Sequence, residues 1–133
     1  MLYQFPHKTG KYVVEIIEEK GDQLLVKVVA VLKHPRQGDL HNPNEVDNVF
    51  FHERKALSQY EKRYTTAQFL KEYQAEVPSY IESLKNSLYE LEEKMKERNN
   101  AYSEQALKCI EQLKKDYSRQ YKSDFQTFYK RNF

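Results

Sequence analysis

All four prolines and all three glycines of this 133-residue chain fall before Ser79. From Ser79 onward no proline or glycine interrupts a helix, the first removing a backbone donor and the second carrying the largest entropic cost of ordering, and only Asn99-Asn100 is expected to end one. The spacing of apolar residues changes in the same part of the chain. From Tyr12 to about His52 the texture is that of strands, and after Arg54 it is helical. YVVEIIEE and QLLVKVVAVLK are two β-rich runs joined through Gly21-Asp22, which predicts a hairpin. In the second run Val26, Val28, Ala30 and Leu32 point one way, and Leu25, Val29 and Val31 the other way beside Lys27 and Lys33. Both faces are mostly apolar, so this strand is expected to be central. A third run, VDNVFFHE (Val46–Glu53), follows a loop rich in Pro, Gly and Asn. Three or four short strands in about 55 residues predict an SH3-like β-barrel over residues 1–57.

Residues 58–133 read as a helical extension. Thr66 to Glu76 is expected as a short amphipathic helix with Phe69, Leu70 and Tyr73 on one face and Thr66 as N-cap. Val77-Pro78 breaks it, and Pro78 suits the first turn of a second helix, about 78–98. That helix carries the stripe Ile81, Leu84, Leu88, Leu91 and Met95. A last helix, about 103–130, repeats Ala106, Ile110, Leu113, Tyr117, Tyr121, Phe125 and Phe128 at helical spacing. It would be about 42 Å long, outlasting its antiparallel partner by about three turns. The overhang, with Tyr117, Tyr121, Phe125 and Phe128, must pack on the barrel, on a second copy in a homodimer, or on a partner. The fold class is therefore α+β: a small barrel, then a helical hairpin with a long last helix.

Composition excludes several functions. The formal net charge is +2, with charged residues at 32%, which argues against a general polyanion binder. The slight basic excess lies in 101–133, and the membrane-surface reading of YKSDFQTFYKRNF founders on its modest charge. A single cysteine, Cys109, allows no intrachain disulfide and no Cys-based zinc cluster. Its mid-helix context reads as a small apolar residue. MLYQFPHKTGKY lacks a secretory signal pattern, and QLLVKVVAVL is too short to span a bilayer, so a cytoplasmic protein is expected.

The densest polar stretch is LKHPRQGDLHN (Leu32–Asn42). His34, Asp39, His41, His52 and Glu53 are ligand or acid–base residue types, yet their spacing matches no zinc signature, and there is no HExxH, GxSxG, GxGxxG or P-loop. Neither catalysis nor a metal nor a cofactor is expected. Pro35 ends the strand and holds His34 extended, Gly38 allows a left-handed turn, Asp39 can accept backbone N–H groups, and Leu40 can plug the barrel. The competing use is a docking face for a protein partner, with candidates Lys33, His34, Arg36, Gln37, Asp39, His41, His52 and Arg54. A nucleic-acid-binding barrel is the alternative function, weakened because Phe50 and Phe51 lack flanking basic clusters.

KTGKY (Lys8–Tyr12), VKVVAVLKHPRQGDLHN (Val26–Asn42) and FFHERKAL (Phe50–Leu57), in this order and separation, resemble the kinase-associated protein B family of spore-forming Gram-positive bacteria. Weaker similarity continues through EVPSYIESLK (Glu76–Lys85) and EQALKCIEQLKKDY (Glu104–Tyr117). The resemblance implies an SH3-like barrel followed by helices. It also implies a non-enzymatic accessory role, supporting a membrane-bound sensor histidine kinase in the phosphorelay that initiates sporulation. The partner would be that kinase, with no nucleic acid, and the protein would reach the inner face of the membrane only through it. Compared with the family pattern, the first strand here is shorter and the tail after Tyr117 longer. The family's lipoprotein label is not carried over, because no lipobox cysteine precedes the fold and Cys109 lies in mid-helix.

Overall fold

A computed structural model of the chain describes residues 1–38 and 51–126. Five strands form one antiparallel sheet: β1 Leu2–His7, β2 Gly10–Lys20, β3 Gln23–Lys33, β4 Lys62–Thr65 and β5 Lys71–Tyr73, in the order β4-β3-β2-β1-β5. Two helices follow, α1 Tyr80–Arg98 and α2 Ala101–Tyr121. The α+β class is as expected. The chain divides into two compact units, Met1–Pro35 with Ala56–Leu84, and Arg36–Lys55 with Lys85–Phe133.

The first unit holds the sheet. β2 and β3 pair along their whole length through the Gly21-Asp22 turn, with Gly21 at φ 64°. β3 is an internal strand between β4 and β2, as its two apolar faces demand: Val26, Val28 and Ala30 are fully buried, and Val31 on the opposite face is only 3% exposed. Tyr12, Val13 and Val14 are buried in succession, which strict alternation forbids. Register shifts between Lys11 and Tyr12 and between Val13 and Val14 supply the reason, since each bulge re-aims the side chains that follow.

Two tyrosines then secure a peptide that has no place in the sheet. The Tyr12 hydroxyl accepts the Leu57 N–H at 3.1 Å, and the Tyr80 hydroxyl donates to the Leu57 carbonyl at 2.5 Å. Both hydroxyls are buried, and burial pushes the Tyr12 phenol up to about 12. Gly10 makes room for this ring, because a Cβ there would lie 2.8 Å from the Tyr12 hydroxyl. Ser83, one turn into α1, accepts the Val31 N–H at 2.9 Å and donates to the Tyr80 carbonyl at 2.7 Å. Ser79 caps α1, its hydroxyl accepting Glu82 N–H at 3.2 Å, so Pro78 lies just before the helix rather than in its first turn.

Two expectations for this unit are corrected. Residues 66–76 are not a helix but a 3-10 turn, Ala67–Phe69, followed by β5, which pairs with β1 through Leu2 and Tyr73. A lone helix of this length is marginal, whereas an open strand edge offers its backbone ready partners. Thr66 sits at the N-terminal position but makes no side-chain cap bond. With β4 and β5 the sheet also draws strands from beyond residue 57. The third strand expected at Val46–Glu53 falls mostly outside the described residues, and Phe51–Glu53 are not in a strand.

In the second unit the helical stripes are buried as spaced, with Leu88, Leu91 and Met95 on α1 and Ala106, Ile110, Leu113 and Tyr117 on α2. Asn99, at φ 47°, turns the chain, and Asn100 caps α2 in a reciprocal box with Ser103. α2 ends at Tyr121, not near residue 130, so the expected overhang is absent from the described chain. Lys122 takes the left-handed conformation at φ 51°, and Ser118 draws the chain back, its hydroxyl accepting the Phe125 N–H at 3.0 Å. Phe125 thereby packs on Tyr117 with ring centroids 5.4 Å apart. The four-residue aromatic spacing served a returning hook as well as a continuing helix; periodicity could not separate them.

Tyr12→Phe should lower unfolding free energy by about 1–3 kcal/mol, because the buried Leu57 N–H loses its acceptor. Tyr60→Phe, at a ring 59% exposed, should change it by under about 0.5 kcal/mol. Urea denaturation of both variants checks the contrast.

Candidate partner-binding site

Within the second unit, the RQG end of one dominant motif (Arg36–Gly38) meets the FHERK part of the other (Phe51–Lys55). Gln37 is buried at 3% exposure, and its amide acts as a one-residue strand partner. The Oε1 accepts Arg54 N–H at 2.8 Å, and the Nε2 donates to the Arg54 carbonyl at 3.0 Å. Gly38 N–H donates to the His52 carbonyl at 2.9 Å, and Arg54 Nε donates to the Gly38 carbonyl at 2.9 Å. From α2 the Tyr102 hydroxyl donates to the Gln37 carbonyl at 2.9 Å, while its ring packs on Phe51 at 5.7 Å. Gly38 stands at φ 103°, and a Cβ there would also press within 3.0 Å of the Phe51 ring. Only glycine meets both demands.

This arrangement sorts the sequence candidates. Gln37 is part of the brace and offers no side chain to a partner. His34 is 1% exposed and likewise withdrawn, its Nδ1 2.9 Å from the Pro35 carbonyl, which fixes the proton on that nitrogen. Lys33 and His52 are exposed, Arg36 and Arg54 are half-buried, and Asp39 and His41 lie outside the described residues. Lys33 belongs to the first unit; Arg36, His52 and Arg54 belong to the second, where Arg36 directly precedes Gln37 and the backbones of His52 and Arg54 are held by the brace. Of the expected aromatic face, Tyr117 and Phe125 are buried within the second unit, Tyr121 is half-buried against both rings, and Phe128 lies outside the described residues.

Electrostatics near the brace is local. Burial and a hydrogen bond to Asp116 hold the Glu53 carboxyl above the usual carboxylate range. Asp116 is drawn down by Gln112 and by that same bond, with Lys55 and Arg119 adding to the effect. The Cys109 thiol, half-buried on α2, is pushed up by burial and by Glu53, which leaves it protonated and unreactive at neutral pH. Among the described residues no group of three or more His, Cys, Asp or Glu is placed to hold a metal ion, and no helix is long and apolar enough to cross a membrane.

Sequence reading missed Tyr12, Tyr80, Ser83 and Tyr102 as organising groups. Their signal was present but weak: Ser83 and Ser87 interrupt an otherwise apolar helical stripe, and both are buried. Small polar residues on a buried face announce a specific backbone partner.

The sequence profile of a family described as kinase associated protein B matches residues 7–118. A curated relative, kinase-associated lipoprotein B of Bacillus subtilis (strain 168), is 41% identical over 111 residues, covering 84% of this chain and 87% of that protein. The X-ray crystal structure of kinase-associated protein B from Bacillus cereus superposes with a TM-score of 0.72 at 36% identity, covering 88% of this chain and 94% of that one.

His34 sets a pH dependence. Burial lowers its pKa from 6.5 to about 4, so the unfolded chain takes up the proton first as pH falls. The contribution is complete above pH 6.5 and shrinks progressively toward pH 4, amounting to roughly 2 kcal/mol between pH 7 and 5. His34→Asn should flatten the fall in urea midpoint over that interval. An unchanged slope would show that His34 is not the titrating group.

Proposed function

Because the chain belongs to the kinase-associated protein B family, we propose that it is a non-enzymatic accessory that docks onto a sensor histidine kinase. The observation that carries this reading is the family match over residues 7–118 together with 41% identity to a kinase-associated relative. The use made of the signature residues agrees with it. Side chains that a catalytic site would aim at a substrate are spent here on holding backbone: Gln37 on Arg54, Arg54 on Gly38, and His34 on Pro35. Such a brace stiffens a surface and leaves recognition to its exposed rim.

On this reading the rim formed by Arg36, His52 and the outer guanidinium of Arg54 touches the kinase. The kinase in turn would be the one that feeds the phosphorelay initiating sporulation, and it would hold this protein at the inner face of the membrane. Charged rim groups act through association rate and specificity more than through raw affinity.

Titration of the purified chain into the kinase's cytoplasmic region tests this. Wild-type protein should bind, and the Arg36→Glu, His52→Glu double variant should still unfold cooperatively while losing about tenfold in affinity. Full binding by the folded double variant would move the interface elsewhere on the chain. A wild-type protein that neither binds nor alters autophosphorylation would end the accessory reading.

A further inference from the structure

In the first unit, the side of the sheet opposite the core carries exposed apolar groups. Val26, Val28 and Ala30 of β3 turn into the core, so Leu25 and Lys27 lie on the outer side. The strand registers extend that outer face across three strands. Leu25 stands between Glu18 of β2 and Tyr64 of β4, and Lys27 stands between Glu15 and Lys62. Directly opposed residues of an antiparallel pair share a face, so these six belong together. Tyr60 joins them, its ring centroid 5.2 Å from the Lys27 ammonium. Ile17, the extra residue of the bulge before Glu18, borders the same row.

Tyr64 is 53% exposed and Ile17 39%, Tyr60 is more exposed than either, and Leu25 is half-buried. Single exposed apolar residues are ordinary, whereas a contiguous group marks a surface that another molecule covers. The charges around the group say which molecule. Lys27 is neutralised by Glu15 at 2.9 Å. Glu18 on the β2 flank and Lys62 on the β4 flank take part in no ion pair among the described residues. One flank thus carries an unmatched negative charge and the other an unmatched positive one. A partner of a single charge sign would satisfy one flank and oppose the other. A second copy of this chain satisfies both, because a two-fold contact sets each flank against its opposite.

We propose that the outer face of β2, β3 and β4 is the interface of a homodimer, two copies packing face to face about a two-fold axis that runs along β3. That axis lays Leu25 on Leu25 and sets Glu18 of each copy over Tyr64 and Lys62 of the other. An axis across the strands would set Glu18 against Glu18, which their charges oppose. Edge-on pairing through β4 is opposed too, since that strand is four residues long and places Lys62 beside Arg63. Lys27 meets its own counterpart near the axis, but with its charge already held by Glu15 and its ammonium over the Tyr60 ring. The patch is small, so the dimer is weak and concentration-dependent rather than permanent.

Sedimentation equilibrium of the full chain, from micromolar to millimolar protein, is the test. Wild-type protein should pass from monomer to dimer over that range. Glu18→Lys and Lys62→Glu should each weaken association by about tenfold or more, because each sets like charges together twice. Mixed in equal amounts, the two variants should regain wild-type association, since both contacts then join opposite charges. That recovery also shows that neither variant has lost its fold. A wild-type chain that stays monomeric throughout, association indifferent to both reversals, or a mixture no stronger than the variants alone overturns the proposal. So does growth beyond the dimer, because a two-fold contact closes on itself.

Discussion

The first unit depends on one peptide. Leu57 has its N–H accepted by Tyr12 and its carbonyl bonded by Tyr80, so a buried segment outside the sheet is satisfied by side chains from β2 and α1. A buried backbone group without a partner costs about 1–3 kcal/mol, and the two tyrosines remove that cost on both sides of one residue. Ser83 performs the same service for Val31, where a register shift in the β2–β3 ladder re-aims the chain. The first turn of α1 is thereby tied to the sheet by hydroxyls as well as by apolar burial. Gly10 in the KTGKY motif is the steric condition for this, as the Tyr12 hydroxyl occupies the space a Cβ would need.

The second unit uses the same device with different residues. Gln37 pairs with the Arg54 backbone as a strand neighbour would, and Tyr102 closes the remaining carbonyl. The histidine-rich, amide-rich stretch that reads as chemistry is in its described part a set of backbone partners. Its polar residue types follow from geometry: an irregular chain that is partly buried must find donors and acceptors off the ladder. The rim proposed for recognition, Arg36 and His52, flanks this held backbone.

How much of this was legible in the sequence depends on the kind of interaction. The internal, non-edge position of β3 followed from apolar residues on both faces, and the α1 and α2 stripes from their spacing, because burial follows periodicity directly. The family followed from KTGKY, VKVVAVLKHPRQGDLHN and FFHERKAL. The strand β5 was not legible: Phe69, Leu70 and Tyr73 fit a helical face, and only pairing with Leu2, some 70 residues distant, decides otherwise. The end of α2 was hidden for a similar reason, since Tyr117, Tyr121 and Phe125 suit a hook as well as a helix. Of the docking candidates, the burial of Gln37 and His34 was not legible, because a polar side chain in a loop gives no sign of whether it faces water or backbone.

The central claim is that the Leu57 peptide is sealed by two hydroxyls and opens only when the fold does. Native-state hydrogen exchange of the Leu57 amide in increasing denaturant measures this directly. The account predicts an opening free energy equal to that of global unfolding, matching the amides at the centre of β3. Exchange through a low-energy local opening, independent of denaturant and comparable with exposed turns, would contradict it.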